Sequence, residues 1–509
     1  MYTFLISIVV LIVGYLLYGR FVERVFGIDE KAATPATTKN DGVDFVPLSG
    51  WRVFLIQFLN IAGLGPIFGA IMGIFFGPSA FLWIVFGTIF AGGVHDYLSG
   101  MMSLRKGGVS LPEIVGDELG KGVKLFMRVL SLVLLLLLTT TFMTGPANLL
   151  HGIAGDLSIM AWLLIIFAYY MLATMLPIDK LIGQFYPLFG AILLFMGIGI
   201  MIVMLGFHSG DIPELTDGLQ NRKTDGYPLF PMMFVSIACG AISGFHGTQS
   251  PLMARCLTSE RQGRRIFYGA MVAEGILALI WAAAAGSFFG GIDGLQAFAA
   301  EHRGENIAAL IVDRVSRTWL GKVGGIMAII GVIAAPITSG DTALRSARLI
   351  VADFMHLDQK PILKRLAISI PLFAVVFGFS FINFDIVWRY FSWTNQTLAM
   401  ITLWAGAVFL AKQETGIGLS AKRSNSEAVS QRSGLTAEGG HYGYLIALIP
   451  AVFMTMVSLS YIMIAPEGLN LSPEHRWIGY AVAGAVDLAI VILFAVWEKR
   501  YSTATKTVL

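Results

Sequence analysis

The chain has 509 residues, 56% of them hydrophobic and 13% charged, with a formal net charge of +3. Its mean hydropathy is +0.74, and its charged share is about half of the roughly 25% usual for soluble domains, which excludes a water-soluble globular protein. Apolar runs of about 20 residues, the length a helix needs to cross hydrocarbon, recur along the whole chain. The alternating pattern of a membrane barrel is absent, so the expected fold is an all-α integral membrane protein.

The first run, 1–19, carries no charge before Arg20. A secretory signal has its positive residues ahead of the apolar stretch, so this run reads as an uncleaved first span with its N-terminus outside. Further runs follow at 52–76, 79–103, 126–150, 158–177, 183–207, 229–254, 266–290, 322–340, 366–384, 386–411, 443–465 and 477–497, about 13 spans in all. With the N-terminus outside, 27 of the 35 Lys and Arg residues fall in connectors assigned to the cytoplasm. That is the asymmetry of the positive-inside rule, and it places the C-terminus in the cytoplasm of a bacterial-type inner membrane. The longest inner connector, 412–442, is rich in Ser, Gly and charge and reads as a cytoplasmic loop.

The second span holds Gly63, Gly65 and Pro66 in its interior, and the seventh holds Gly240, Gly244, Gly247 and Pro251. Such residues weaken a helix, and in hydrocarbon the freed backbone groups persist only where they line a cavity or find partners. The competing reading is close helix packing through glycine faces. The two spans lie five helices apart, an odd number, so a second set of five enters the membrane from the opposite side. This predicts an inverted five-plus-five layout: units at 50–207 and 229–411, an extra N-terminal helix at 1–19 and two C-terminal helices at 443–497.

Ionisable groups inside spans are functional candidates by default. In the third span these are His95 and Asp96, read as a proton relay or inner gate; neighbours on a helix point about 100° apart, so the two are not expected to pair. Glu274 of the eighth span joins them as a relay candidate. His246 stands inside the second interrupted span, with Gln249 and Ser250 after it, and an imidazole there suits proton exchange or a substrate carboxylate. Asp341 lies four residues before Arg345, which allows a pair on one helix face or an ion site with the nearby hydroxyls. Asn60, Asn395 and Gln396 read as lining or interhelical glue, and Phe391 and Trp393 as cavity walls or interface anchors. Asp487 reads as structural or as a contact in a homo-oligomer. Cys239 and Cys256 are the only cysteines and give no disulfide framework or metal site. The chain holds no Walker loop, HExxH helix or GxSxG elbow, so no enzymatic activity is expected.

The stretches LNIAGLGPIFGAIMG, GGVHDYLSGMMSLRKGG, GAISGFHGTQSPLMARC, APITSGDTALRSAR and FSWTNQTLA together resemble the carbon starvation protein A (CstA) family of peptide and pyruvate transporters. That family is similar to the amino acid–polyamine–organocation superfamily with its LeuT-type fold. The resemblance implies proton- or sodium-coupled uptake of small peptides or pyruvate during carbon starvation. It also implies an unwound IAGLG segment, with Gly63 and Gly65 at the substrate. Thr338 and Ser339 resemble the hydroxyl pair that holds sodium in such carriers, beside the carbonyls of Ala62 and Ala335. The expected partners are a small solute and the lipid bilayer, with no nucleic acid and no cofactor beyond bound Na+ or transported H+. The alternatives are a transporter-like nutrient sensor and an intramembrane enzyme built on His95, Asp96 or His246.

Overall fold

The computed structural model describes residues 1–153, 156–175, 182–303, 305–382, 384–414 and 442–508, and every regular element among them is helical. Most of the connector expected at 412–442 lies outside the described residues. In chain order the main helices are α1 (Tyr2–Phe26), α2 (Gly50–Ile61) and α3 (Gly65–Ile74). Then come α4 (Ser79–Arg105), α5 (Leu111–Leu119), α6 (Lys121–Ile153), α7 (Ile159–Met175) and α8 (Ile182–Phe207). The second half contains α9 (Leu229–Ser236), α10 (Gly244–Ala254) and α11 (Glu260–Phe288), followed by α12 (Ile292–Glu301), α13 (Ile307–Met355), α14 (Ile362–Phe379) and α15 (Phe384–Glu414). The last two are α16 (Leu445–Ile464) and α17 (Arg476–Val508).

Among the described residues, 9 helices are long and apolar enough to cross a membrane, or 10 if the bent pair α2 and α3 is one span. The protein is therefore multi-pass. Length and apolarity alone do not reach the expected 13 spans. Three expected spans fall on other kinds of helix: 158–177 on the shorter α7, 229–254 on broken pieces, and 322–340 inside the 49-residue α13.

Burial sorts the spans into two layers. The apolar windows of α4, α11 and α15 are 83–89% buried, whereas those of α1 and α17 are 22% buried. The outer helices expose Leu, Ile, Val and Phe side chains, as lipid contact requires. The enclosed helices are those that carry His95, Asp96, Glu274 and Asn395, so the polar candidates sit at the centre of the bundle.

Two of the central helices share an irregularity that no residue pattern announces. A π-helical turn interrupts α4 at Gly87–Gly92 and α11 at Arg264–Tyr268. A π turn leaves backbone groups out of register, and such turns cluster at functional sites. Here a side chain of one turn serves the backbone of the other: the Tyr268 hydroxyl donates to the Ile89 carbonyl at 2.7 Å. Gly93 makes room for that ring, since a Cβ there would lie 2.6 Å from its Cζ.

Candidate functional site: two broken helices and a buried titratable line

The α2–α3 span breaks at Ala62–Leu64 and bends by 48°. Pro66 stands in the first turn of α3, where its missing N–H is no loss. The Gly63 N–H turns back to the Ile61 carbonyl at 2.9 Å, which leaves the Leu59 carbonyl without its helical donor. The Ser339 hydroxyl lies 3.1 Å from that carbonyl and 3.0 Å from the Ala335 carbonyl, to which Thr338 also donates at 2.8 Å. Asp341 is fully buried on the same helix. Of the expected ion-site residues, Ser339 reaches the first break, on the freed Leu59 carbonyl, while Thr338 bonds to Ala335 within its own helix.

The seventh span breaks twice, at Ile237 and at Ile242–Ser243, where the chain is extended. Of the residues expected in the interruption, Gly240 lies between the two breaks and Gly244 directly follows the second, whereas Gly247 and Pro251 lie within α10. The freed groups again have partners. Thr88 donates to the Gly240 carbonyl at 3.2 Å and the Gln396 amide to the Ile242 carbonyl at 3.4 Å. The Asn395 amide oxygen accepts from the Phe245 N–H at 2.7 Å and the Ser243 hydroxyl at 3.1 Å. Asn395, expected at the substrate, is therefore spent on holding the break open. Asn395→Ala strands the Phe245 N–H at a cost of about 1–3 kcal/mol, and a lowered thermal unfolding midpoint in detergent is the expected readout.

The two breaks touch. A Cβ at Gly65 would fall on the Cβ and Sγ of Cys239, and one at Gly69 would lie 2.7 Å from the Ser236 carbonyl. Gly63 faces Phe142 and Ser339. Gly65 and Gly69 serve close approach between the two interrupted spans.

Across the second break runs a line of four fully buried titratable side chains from three helices. The Asp96 carboxylate lies 2.8 Å from His95 Nδ1 and 3.1 Å from His246 Nδ1. His246 Nε2 lies 3.4 Å from the Glu274 carboxyl, and none of the four side chains is exposed. His95 and Asp96 do pair, contrary to expectation. The 100° between neighbouring Cβ directions is bridged because Nδ1 and the carboxylate oxygens both lie beyond Cβ and bend toward each other. Gly247 leaves the space for the His95 ring, since a Cβ there would lie 3.1 Å from Nε2.

Protonation follows from the donor inventory. An ionised Asp96 only accepts, so both Nδ1 atoms carry hydrogen. The far nitrogen of His246 then faces a carboxyl oxygen, and a lone pair opposing a carboxylate is repulsive. A proton on either His246 or Glu274 relieves that repulsion, so the arrangement can hold a proton on this edge.

Other expected residues turn elsewhere. The Gln249 amide donates to Ser346 on α13 at 3.2 Å, and Ser250 accepts from Gln57 on α2 at 3.2 Å. Asn60 is fully buried beside the first break, and neither of its amide atoms has a hydrogen-bond partner among the described residues. The indole N–H groups of half-buried Trp393 and buried Trp281 are likewise without one. Asn60 and Trp281 thus offer unspent polar atoms near the centre; Trp281 reads in sequence as an ordinary apolar residue.

Sequence reasoning also missed Asp44, which lies in a connector. It is buried between Arg345 Nη1 at 3.2 Å and Arg348 Nη2 at 3.1 Å. Burial alone would raise its carboxyl, but the Arg348 and Arg345 guanidiniums, with Arg255 behind them, hold it at about 2. Its contribution to stability is therefore complete above the ordinary carboxylate range and is lost as pH falls toward 2.

The family model described as "Carbon starvation protein CstA" matches residues 1–155 and 146–311. An uncharacterised membrane protein of Haemophilus influenzae is 44% identical over 58% of this chain and 92% of its own length. The peptide transporter CstA of Campylobacter jejuni is 30% identical over 55% of this chain and 49% of its own. The pyruvate/proton symporter BtsT of Escherichia coli is 27% identical over 54% of this chain and 47% of its own. The chain thus spans about half the length of these last two relatives. Among solved structures, a mutant of the manganese transporter of Eremococcus coleocola shares the fold, with a TM-score of 0.56 at 14% identity over 91% of this chain and 99% of that one. With more than half its length matched, the chain belongs to the carbon starvation protein CstA family.

Proposed function

We propose that this protein is a secondary carrier that takes up a small carboxylate-bearing solute, pyruvate or a short peptide, together with a proton. The observation that carries this reading is the buried His95–Asp96–His246–Glu274 line across the second helix break. It ties a proton to the position of the interrupted helix. Protonating the His246–Glu274 edge changes the charge that binds α10 to α4 and α11, and a shift in that packing opens or shuts the space between the breaks. The names of the Campylobacter and Escherichia relatives agree with the solute class. Half-helix N-termini carry partial positive charge and favour a carboxylate; the α3 start at Gly65 is the candidate, because the Phe245 N–H of α10 is already engaged by Asn395.

In this reading the carrier consists of two five-helix units at 50–207 and 229–411, inverted with respect to each other. The π turns support it, since they occur in the second span of each unit. The protein lies in the inner membrane with its N-terminus outside and its C-terminus in the cytoplasm.

A second reading keeps the carrier and changes the ion. The Leu59 and Ala335 carbonyls with the Thr338 and Ser339 hydroxyls form an oxygen-rich set suited to sodium. Under it, Ser339→Ala lowers the sodium dependence of uptake while leaving membrane insertion intact; under proton coupling that variant keeps its gradient dependence.

The test is uptake into proteoliposomes of labelled pyruvate, amino acids and dipeptides under an imposed proton or sodium gradient. Accumulation of one acid with the proton gradient supports the proposal. Saturable binding without counterflow points instead to a sensor, and hydrolysed peptide to an enzyme.

A further inference from the structure

The Asp44 turn takes no part in the proton line, and it has the geometry of a ligand in a receptor. The turn folds on itself: the Asp41 carboxylate accepts from the N–H groups of Val43, Asp44 and Phe45 at 2.8, 3.0 and 2.9 Å. These bonds are internal, so the turn keeps its shape whether or not it is docked. Separate contacts dock it on the bundle. Asp44 enters between Arg345 and Arg348, the Arg255 guanidinium lies 5.0 Å from the Phe45 ring centroid, and the Leu48 N–H donates to the Cys256 carbonyl at 3.1 Å.

The receiving side belongs to α13. Arg348 reaches both Asp44 oxygens, at 3.1 and 3.2 Å, and Arg345 adds a third contact at 3.2 Å. Both guanidiniums are buried and held from behind, Arg348 by Gln359 at 2.5 Å and Arg345 by the Ala173 carbonyl at 2.9 Å. Arg348 Nε is buried and has no hydrogen-bond partner among the described residues. A planar fork of this kind matches a carboxylate.

Arg345 lies six residues beyond Ser339, about 9 Å along the helix, on the cytoplasmic side in the proposed orientation. The next residue, Ser346, lines a cavity of about 10 Å³ with Ser110, Thr248 and Arg255, room for a single water. The arginine pair therefore lies between the helix breaks and the cytoplasmic connectors. A permanent lock gains little from burying charges, because well-packed apolar groups usually do as well.

We propose that Arg345 and Arg348 form a carboxylate-binding site at the inner exit, filled by the Asp44 side chain while the exit is shut and by the carboxylate of a departing solute when the turn lifts. This rests on the carrier reading, but its test does not use transport. In the full-length protein in detergent, Asp44→Ala lowers the thermal unfolding midpoint. Formate restores most of the loss in a saturable way, and sodium chloride at equal ionic strength does not. The wild type shows no such gain, and Arg348→Gln in the Asp44→Ala background removes the rescue. Equal responses to formate and chloride, or rescue that survives Arg348→Gln, overturn the proposal even if uptake is found.

Should Asp44→Ala fail to fold, the wild type carries the test. Formate competing with Asp44 frees Leu48 from Cys256 and raises alkylation of buried Cys256 severalfold, read by peptide mass spectrometry. Equal labelling in formate and chloride overturns the site.

Discussion

Replacing Asp96 by Asn is expected to reduce proton-driven uptake by about 100-fold, the scale on which a positioned proton-transfer group acts, while solute exchange without a gradient continues. The carboxylate takes hydrogen bonds from His95 and His246 at once. An amide of the same shape has one accepting oxygen and one donating nitrogen, so one Nδ1–H meets another donor. Because the side chain keeps its volume, the helices still assemble, which protein yield and a monodisperse elution profile check. Loss of net uptake with preserved exchange assigns Asp96 to coupling. Loss of both with a failing fold would leave it a structural role only, and an unchanged pH profile of uptake would remove it from the proton line.

The second large effect is expected at the contact between the breaks. Gly65→Val places its first side-chain carbon on Cys239, and overpacking of this kind costs about 1–3 kcal/mol or more. Since Gly65 opens α3 and Cys239 lies in the short helix Ala238–Ala241, the strain forces the two interrupted spans apart. Uptake and unfolding midpoint should fall together. The milder Gly65→Ala combined with Cys239→Gly is expected to recover much of the loss, because residues in contact couple by about 0.5–3 kcal/mol. Strictly additive effects in this double-mutant cycle would show that the breaks do not face each other in the working protein.

Much of this arrangement could be read from the chain because its signals are local. Apolar length marked the spans, and Gly63, Gly65 and Pro66 marked the first break within a residue or two. Gly240 and Gly244 flank the second break at Ile242–Ser243, but two other signals there have a tertiary reason. Gly247 and Pro251 sit in a regular helix, and Gly247 is small because the His95 ring lies on it. The interruption falls instead at Ile237 and Ile242–Ser243, where Thr88, Asn395 and Gln396 take over the backbone hydrogen bonds. No composition rule announces which backbone carbonyl a distant side chain will reach. The same holds for the π turns, which depend on Tyr268 meeting Ile89, and for Asp44, whose importance comes from arginines about 300 positions away in the chain. His246 and Glu274 were each legible as candidates, but their 3.4 Å approach depends on how α10 and α11 pack.

The most direct test follows the proton itself. Liposomes containing the purified protein and a trapped pH dye, with equal pH on both sides, are given pyruvate or a dipeptide from outside. Coupled carriage predicts that the lumen acidifies as the solute enters, that the signal disappears with Asp96→Asn, and that it needs no sodium. Solute entry with no luminal acidification, or acidification that is identical in the Asp96→Asn variant, would contradict the claim that the buried line between the broken helices moves the proton.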